Sequence, residues 1–387
     1  MMSRANKNPI TDWWWTVDKV LLALLLMLMA SGILLSFSAS PPVAKRLDVD
    51  AFHFVKRHAV FLIPGLIVLI GTSFLNLRQV RRLSLLILAG SIIALLLVPM
   101  IGFTAKGATR WISIGSFLIQ PSEFLKPAFV VVTAWLFAES TRRKDIPCNL
   151  FSILLFVMCA GLLVMQPDLG QTILLAAVWG ALFFMAGLPL VWIGALGGLA
   201  LSAFLTAYFA FSHFAGRIDR FITGEGDTFQ VDRGLAAINN GSWFGTGPGE
   251  GRIKNGLPDS HTDFVFSVAA EEFGIIAAMA LVAVFALVVL RGLFHSLREH
   301  DRFVQLAVSG LVLQFGLQAM INIGVNLRLL PAKGMTLPFV SYGGSSLLAV
   351  ALGMGLVLAL TRKRAASYRS NLVSAQSVPA NTLPAGA

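Results

Sequence analysis

Charge and cysteine are both scarce in this chain. Asp, Glu, Lys and Arg make up 13% of its 387 residues, about half the share of an ordinary soluble domain, and the mean hydropathy is +0.78. Those values exclude a water-soluble globule. An apolar share of 56% with 29 Phe excludes a solvated, disordered chain as well. The two cysteines, Cys148 and Cys159, would lie about 16 Å apart along one helix, too far to bridge. No disulfide framework is therefore available, and the spacing of His and Cys offers no zinc site. There is no internal repeat of fixed period, which weighs against an inverted-repeat transporter. The first hydrophobic run is long and no small-residue cleavage pattern follows it, so it reads as a retained helix rather than a secretory signal. What remains is an integral membrane protein.

Hydrophobic stretches of about 17 to 25 residues cross a bilayer as helices. Ten fit that rule: 17–38, 59–76, 83–102, 123–140, 150–166, 170–187, 189–211, 263–290, 303–326 and 338–360. The expected fold is all-α, with residues 17–362 forming a polytopic membrane domain between a short N-terminal segment, 1–16, and a disordered tail, 363–387. An even number of spans puts both termini on one side. That side also receives Arg78/Arg81/Arg82, Arg142/Arg143/Lys144, Arg291/Arg298/Arg302 and Arg362/Lys363/Arg364. With the basic residues near the termini it holds sixteen of the 30 basic residues and six of the 19 acidic ones, nearly all of the +11 excess. The positive-inside rule makes it cytoplasmic. The net charge thus encodes topology and not nucleic-acid binding.

The opposite side carries the irregular sequence: 39–58 with Pro41 and Pro42, 103–122 with Arg110 and Trp111 at headgroup level, and a long loop, 212–262, between spans seven and eight. A single long loop among minimal ones points to function. Four segments there carry chemistry. Gln120-Pro-Ser-Glu-Phe-Leu-Lys126 opens the fourth span, with Glu123 and Lys126 three apart on one face, either a structural ion pair or the wall of a polar cavity. Gln166-Pro-Asp-Leu-Gly170 is a tight outer turn in which Asp168 suits an N-cap. Leu257-Pro-Asp-Ser-His-Thr-Asp-Phe264 places His261 and Asp263 at the entry to the eighth span, as helix caps or as a general base. On that span Glu271 lies about 80° around the helix from Asp263, placing it in the same cavity, whereas Glu272 faces the opposite side and pairs with another helix. The last segment, Asn322 to Ser346, holds Arg328, Lys333 and Ser345 among glycines and prolines, either as close helix packing or as a loop presenting Lys333 and backbone N–H groups to a diphosphate.

Together these segments resemble the SEDS family (shape, elongation, division and sporulation) over roughly residues 15–365, on QPSEFLK at 120–126, QPDLG at 166–170, LPDSHTDFVF at 257–266, EEFG at 271–274 and the 322–346 run. Lys333 to Pro338 and Ser345-Ser346 look like the division branch of that family; Ala332 and Gln171 stand where it usually has Thr. The resemblance implies a glycosyltransferase that polymerises the disaccharide of lipid II at the outer leaflet of the bacterial cytoplasmic membrane, at the division septum, with Asp263 as the mapped catalytic residue. It implies dependence on a divalent cation (Mg or Mn) with no readable ligand set. It also implies a complex with a class B penicillin-binding protein transpeptidase and other division-complex membrane proteins. Lys333, Arg110 and Lys126 are candidates to neutralise the leaving diphosphate. Two other readings keep the fold: a lipid II flippase, and a non-enzymatic scaffold that recruits the transpeptidase.

Overall fold

The computed structural model describes residues 8–105, 108–115, 117–187, 229–331 and 334–362, with scattered positions between 191 and 216. Most of the expected 189–211 span, residues 217–228 of the long loop, Lys333 and the 363–387 tail lie outside the described residues. Helices are α1 (Pro9–Thr16), α2 (Lys19–Arg46), α3 (His53–Ser73), α4 (Leu77–Ile101), α5 (Pro121–Arg142), α6 (Cys148–Met165), α7 (Leu169–Met185), α8 (Phe229–Gly241), α9 (Val265–Leu297), α10 (Arg302–Asn326) and α11 (Gly344–Leu360). Seven of them, α2 to α6, α9 and α10, are long and apolar enough to cross a membrane, and α7 and α11 are shorter apolar helices. Each of the nine expected spans outside 189–211 therefore corresponds to a helix. Cys148 and Cys159 are both free.

The core is centred on α5, α10 and α11. Two thirds of the apolar window of α5 and of α10 is buried, and α11 is buried at nearly every position from Ser346 to Leu360. Small residues make the close approaches. A Cβ at Gly355 would strike Thr72 and the Leu69 carbonyl of α3, and one at Gly344 would come 2.5 Å from the Phe61 ring. On the cytoplasmic side Asp18 caps α2 through Val20 and Leu21, and its carboxylate also accepts a 2.8 Å bond from Arg291 Nε and pairs with His295 on α9. Burial opposes its charge, but these donors hold the Asp18 carboxyl below its ordinary value.

Three features depart from the expected outline. The first is α2, which does not stop before Pro41 and Pro42 but runs through them to Arg46. Pro42 has no N–H to offer the carbonyl of Ser38 four residues back. Lys254 Nζ supplies that bond instead, at 3.0 Å, and Ser260 Oγ donates to the next carbonyl, Ala39, at 2.9 Å. The donors come from the long outer loop, so the helix survives through tertiary contacts.

The second is the 103–119 stretch, which adds a three-stranded antiparallel sheet to the helical bundle: β1 (Phe103–Ala105), β2 (Ala108–Ile114) and β3 (Phe117–Ile119). Trp111-Ile-Ser-Ile114 alternates with period two, and Gly115 turns the chain at φ +62°. Pairing the strands satisfies backbone that would otherwise be costly at a membrane boundary.

The third is α9, which is interrupted at Gly274 (φ 82°, ψ 172°). Residues 242–247 of the outer loop fill the gap. The carbonyls of Glu271 and Glu272 accept from Thr246 N (2.9 Å) and Gly247 N (3.0 Å), while Ile275 N and Ile276 N donate to Ser242 O (2.9 Å) and Trp243 O (3.4 Å). Four backbone groups that a continuous helix would pair with one another are thus shared with the loop. The fit requires glycine. A Cβ at Gly241, Gly245 or Gly274 would collide with the carbonyls of Ala270, Glu272 or Trp243, respectively. Gly274→Ala is expected to lower stability by about 2 kcal/mol or more through strain at positive φ, read as an earlier melting transition of the detergent-solubilised protein. A neutral result would show that α9 tolerates a different backbone there.

Candidate active site

Asp263 sits in a turn on the outer side, opposite the arginine clusters. The carbonyl of Asp259 accepts from the N–H groups of Thr262 (3.2 Å), Asp263 (3.1 Å) and Phe264 (3.1 Å), winding the chain once before α9 begins at Val265. The N-cap position is Phe264, and no side chain caps the helix there. Asp263, half-buried, stands one residue before that position. Its nearest glycine neighbour is Gly334, where a Cβ would stand 3.6 Å from Asp263 Oδ2. The turn is held from beneath by α10, since Asn322 Nδ2 and Asn326 Nδ2 each donate to the Asp263 carbonyl at 2.9 Å. It is held from the side by Ser341, whose hydroxyl bonds the Thr262 carbonyl, and by Tyr342 N, which donates to the His261 carbonyl at 2.9 Å.

His261 is packed, with its ring 4.5 Å from the Phe54 ring centroid and 5.5 Å from that of Tyr342. This aromatic stack orients the turn. Burial raises the Tyr342 phenol above its ordinary value.

Glu123 and Lys126 form a buried pair, 4% and 1% exposed, with Nζ 2.9 Å from Glu123 Oε2. Gln171 Nε2 donates to the other carboxylate oxygen at 2.7 Å, so the glutamine at the family's usual threonine position is built into the network. Lys126 also donates to Gln318 Oε1 at 3.2 Å, and Gln318 Nε2 donates to the Thr336 carbonyl at 3.2 Å. Thr336 Oγ1 meets Ser346 Oγ at 2.7 Å. The neighbouring Ser345 is half-buried at the start of α11. The ion pair is thus the first link of a polar chain that crosses α5, α10 and the 334–346 segment.

Several expected neighbours lie elsewhere. Glu271 does not share a cavity with Asp263. It is 0% exposed, and its carboxylate accepts from Ile253 N (2.8 Å), Lys254 N (2.9 Å) and Asn240 Nδ2 (3.1 Å). The angular argument considered only one helix, whereas the outer loop folds over that face. Glu272 pairs with Lys254, which lies in a short 3-10 turn (Ile253–Gly256) between α8 and α9 rather than on another long helix, and accepts from Gly249 N at 3.0 Å.

Asp168 occupies the N-cap of α7, but its side chain makes no capping bond. It accepts instead from Gln120 Nε2 at 3.2 Å and lies 3.7 Å from Arg110 Nη1. Burial pushes its carboxyl above the ordinary value against the pull of Arg110. Arg110 ties β2 to the α6–α7 turn through the carbonyls of Gln166 (3.0 Å) and Pro167. Arg328, at φ +59°, pairs with Asp232 of α8 at 2.9 Å. Lys333 lies outside the described residues.

Sequence reasoning passed over Lys254, Gln318, Asn322 and Asn326. The last three recur every four residues on α10, a spacing that puts amide side chains on one helix face and was a readable signal. Lys254, two residues after Arg252 in a glycine-rich stretch, gave none.

A bundle of long apolar helices with a buried ion pair at the start of α5 and a half-buried carboxylate at the entrance to α9 defines a multi-pass membrane protein. The chain belongs to the cell cycle protein family of FtsW, RodA and SpoVE, whose model matches residues 18–366. The probable peptidoglycan glycosyltransferase FtsW of Caulobacter vibrioides is 45% identical over 368 residues, covering 95% of this chain and 94% of that protein. The probable peptidoglycan glycosyltransferase FtsW of Geobacter metallireducens is 34% identical over 354 residues, covering 88% and 93%. Among solved structures, a chain from a study of how a peptidoglycan synthase complex coordinates polymerization and crosslinking superposes with a TM-score of 0.76 at 28% identity, covering 90% of this chain and 98% of that one. The rod shape determining protein RodA of Thermus thermophilus gives 0.67 at 29% identity, covering 90% and 97%.

The Lys254–Glu272 pair invites a direct test, because removing one member of a buried pair leaves an uncompensated charge costing about 3–5 kcal/mol. Lys254→Met is expected to lower the melting transition sharply, and adding Glu272→Gln to restore part of the loss. Additive losses in the double variant would show that the two charges do not depend on each other.

Proposed function

We propose that this chain is a peptidoglycan glycosyltransferase that polymerises lipid II into glycan strands at the outer face of the bacterial cytoplasmic membrane, during septal wall synthesis. The observation that carries the reading is the half-buried Asp263 carboxylate at the entrance to α9, beside Gly334 of the 334–337 segment. The relatives' names supply the substrate class. In the reaction the acceptor sugar hydroxyl attacks the anomeric carbon of the lipid-linked donor, the bond to diphosphate breaks, and Asp263 accepts the hydroxyl proton. A direct displacement inverts the anomeric centre, turning an α-linked donor into a β-linked polymer. Diphosphate is already a good leaving group, so its departure needs neutralisation more than an acid.

Lys126 is consumed by Glu123 and Gln318, and Arg110 by the α6–α7 turn, which leaves Lys333 beside Gly334 as the basic residue proposed for the leaving group. Among the described residues no group of three His, Cys, Asp or Glu side chains could hold a metal. A magnesium or manganese ion would be held there chiefly by the substrate phosphates and water. When bound, such an ion would supply charge neutralisation at the diphosphate. A class B penicillin-binding protein is the proposed partner, with other division proteins around it.

The test uses purified protein with its cognate transpeptidase, lipid II and magnesium, and separates glycan products on gels. Wild type is expected to make polymer, and Asp263→Asn, equally folded, at least about 100-fold less. Polymer from both would move the base elsewhere. Polymer from neither would favour the flippase or scaffold reading. Chelation of divalent ions is expected to stop polymer formation and added magnesium or manganese to restore it, whereas full activity in chelator would remove the metal from the proposal.

A further inference from the structure

α10 presents Gln314, Gln318, Asn322 and Asn326 at four-residue intervals, and the outer three join the two halves of the site. Asn322 is the pivot. Its amide nitrogen donates to the Asp263 carbonyl at 2.9 Å and to the Met335 carbonyl at 2.6 Å, using both N–H bonds on one residue from each wall of the site. One turn outward, Asn326 Nδ2 donates to the same Asp263 carbonyl and to Asn322 O at 2.8 Å, while its Oδ1 accepts from Ser267 N (3.2 Å) and Ser267 Oγ (2.7 Å). One turn inward, Gln318 links Lys126 to the Thr336 carbonyl. Consecutive carbonyls of the 335–336 segment are therefore anchored to consecutive turns of α10, and Asp263 hangs from the same helix. Asn322 is 2% exposed and Asn326 0%, so water does not compete for these bonds.

We infer that Asn322, assisted by Gln318, is a positioning residue that fixes the Asp263 carboxylate against the 334–336 segment at the distance the transfer step requires. The inference rests on Asp263 being the base. Neither amide touches a reacting atom; each acts through a backbone carbonyl it holds. A base displaced by about 1 Å loses on the order of 100-fold in rate while the substrate still binds.

The experiment measures steady-state polymerisation with the full chain, its transpeptidase partner and lipid II, for Asn322→Asp, Gln318→Leu and Asp263→Asn beside wild type. Asn322→Asp keeps the size but removes both donated bonds and brings a second carboxylate near Asp263. It is expected to lower kcat by about 10–100-fold with KM within about threefold, and to move the acid limb of the kcat profile to higher pH, because a like charge raises the Asp263 pKa. Gln318→Leu is expected to lower kcat with an unmoved acid limb, since it frees the segment without adding charge. Wild-type kcat in a folded Asn322→Asp protein, or a loss carried entirely by KM, would overturn the inference. Should Asn322→Asp fail to fold, the Gln318→Leu rates decide it by the same criterion. Loss in Asp263→Asn with wild-type rates in both amide variants would sink the positioning role alone, whereas activity retained in Asp263→Asn would sink the base assignment and this inference with it.

Discussion

The outer end of this molecule is organised by a single constraint: a charge or backbone polar group removed from water must be met within the chain. Glu271 and Glu272 are buried on α9, and besides Asn240 Nδ2 of α8 they are met by the backbone N–H groups of Gly249, Ile253 and Lys254 and the Lys254 ammonium. All of these latter donors come from the loop between α8 and α9, so that segment is held down on the helix. Once there, it occupies the space a continuous α9 would need, and the helix opens at Gly274 to share its hydrogen bonds with it. The same ammonium also meets Ser38, the carbonyl orphaned by Pro42, which carries α2 beyond its prolines. Two carboxylates and one lysine thereby account for the broken helix, the extended helix and the seating of the loop.

A second buried charge pair, Glu123–Lys126, is handled differently. Its remaining hydrogen-bonding capacity goes to amide side chains, Gln171 on one side and Gln318 on the other. Neutral amides extend the network without adding charge, and they donate and accept at once, so α10 can pass the connection to Thr336, Met335 and Asp263. The site consequently has a rigid floor made of α5 and α10 and a turn that presents one carboxylate at its edge. That division suits a reaction in which lipid-anchored substrates approach along the membrane and the protein contributes a fixed base.

The bundle was legible in the sequence because hydropathy is a property of the segment itself. A stretch such as Ile275 to Leu290 is apolar wherever it is placed, and the arginine clusters report their side without reference to any partner. The Glu123–Lys126 pair was legible for a related reason, since two opposite charges three residues apart share one helix face. Glu271 was misplaced because helical angles describe one helix, while its partners arrive from α8 and the loop after it, 17 to 31 residues away in sequence. Asp168 was placed at the right helix position with the wrong partner, because Gln120 and Arg110 outcompete the local N–H groups for its carboxylate.

The sequence by itself therefore determined the solvent this chain lives in, the apolar segments that become its long helices outside 189–211 and the Glu123–Lys126 pair at the start of α5. Each of these follows from local composition acting through the bilayer. Only the tertiary structure decided which charges pair, where α9 breaks, how α2 survives two prolines and that α10 ties Asp263 to the 334–336 segment. Those outcomes depend on directional bonds of 2.6 to 3.4 Å between residues far apart in the chain, and composition carries no record of direction.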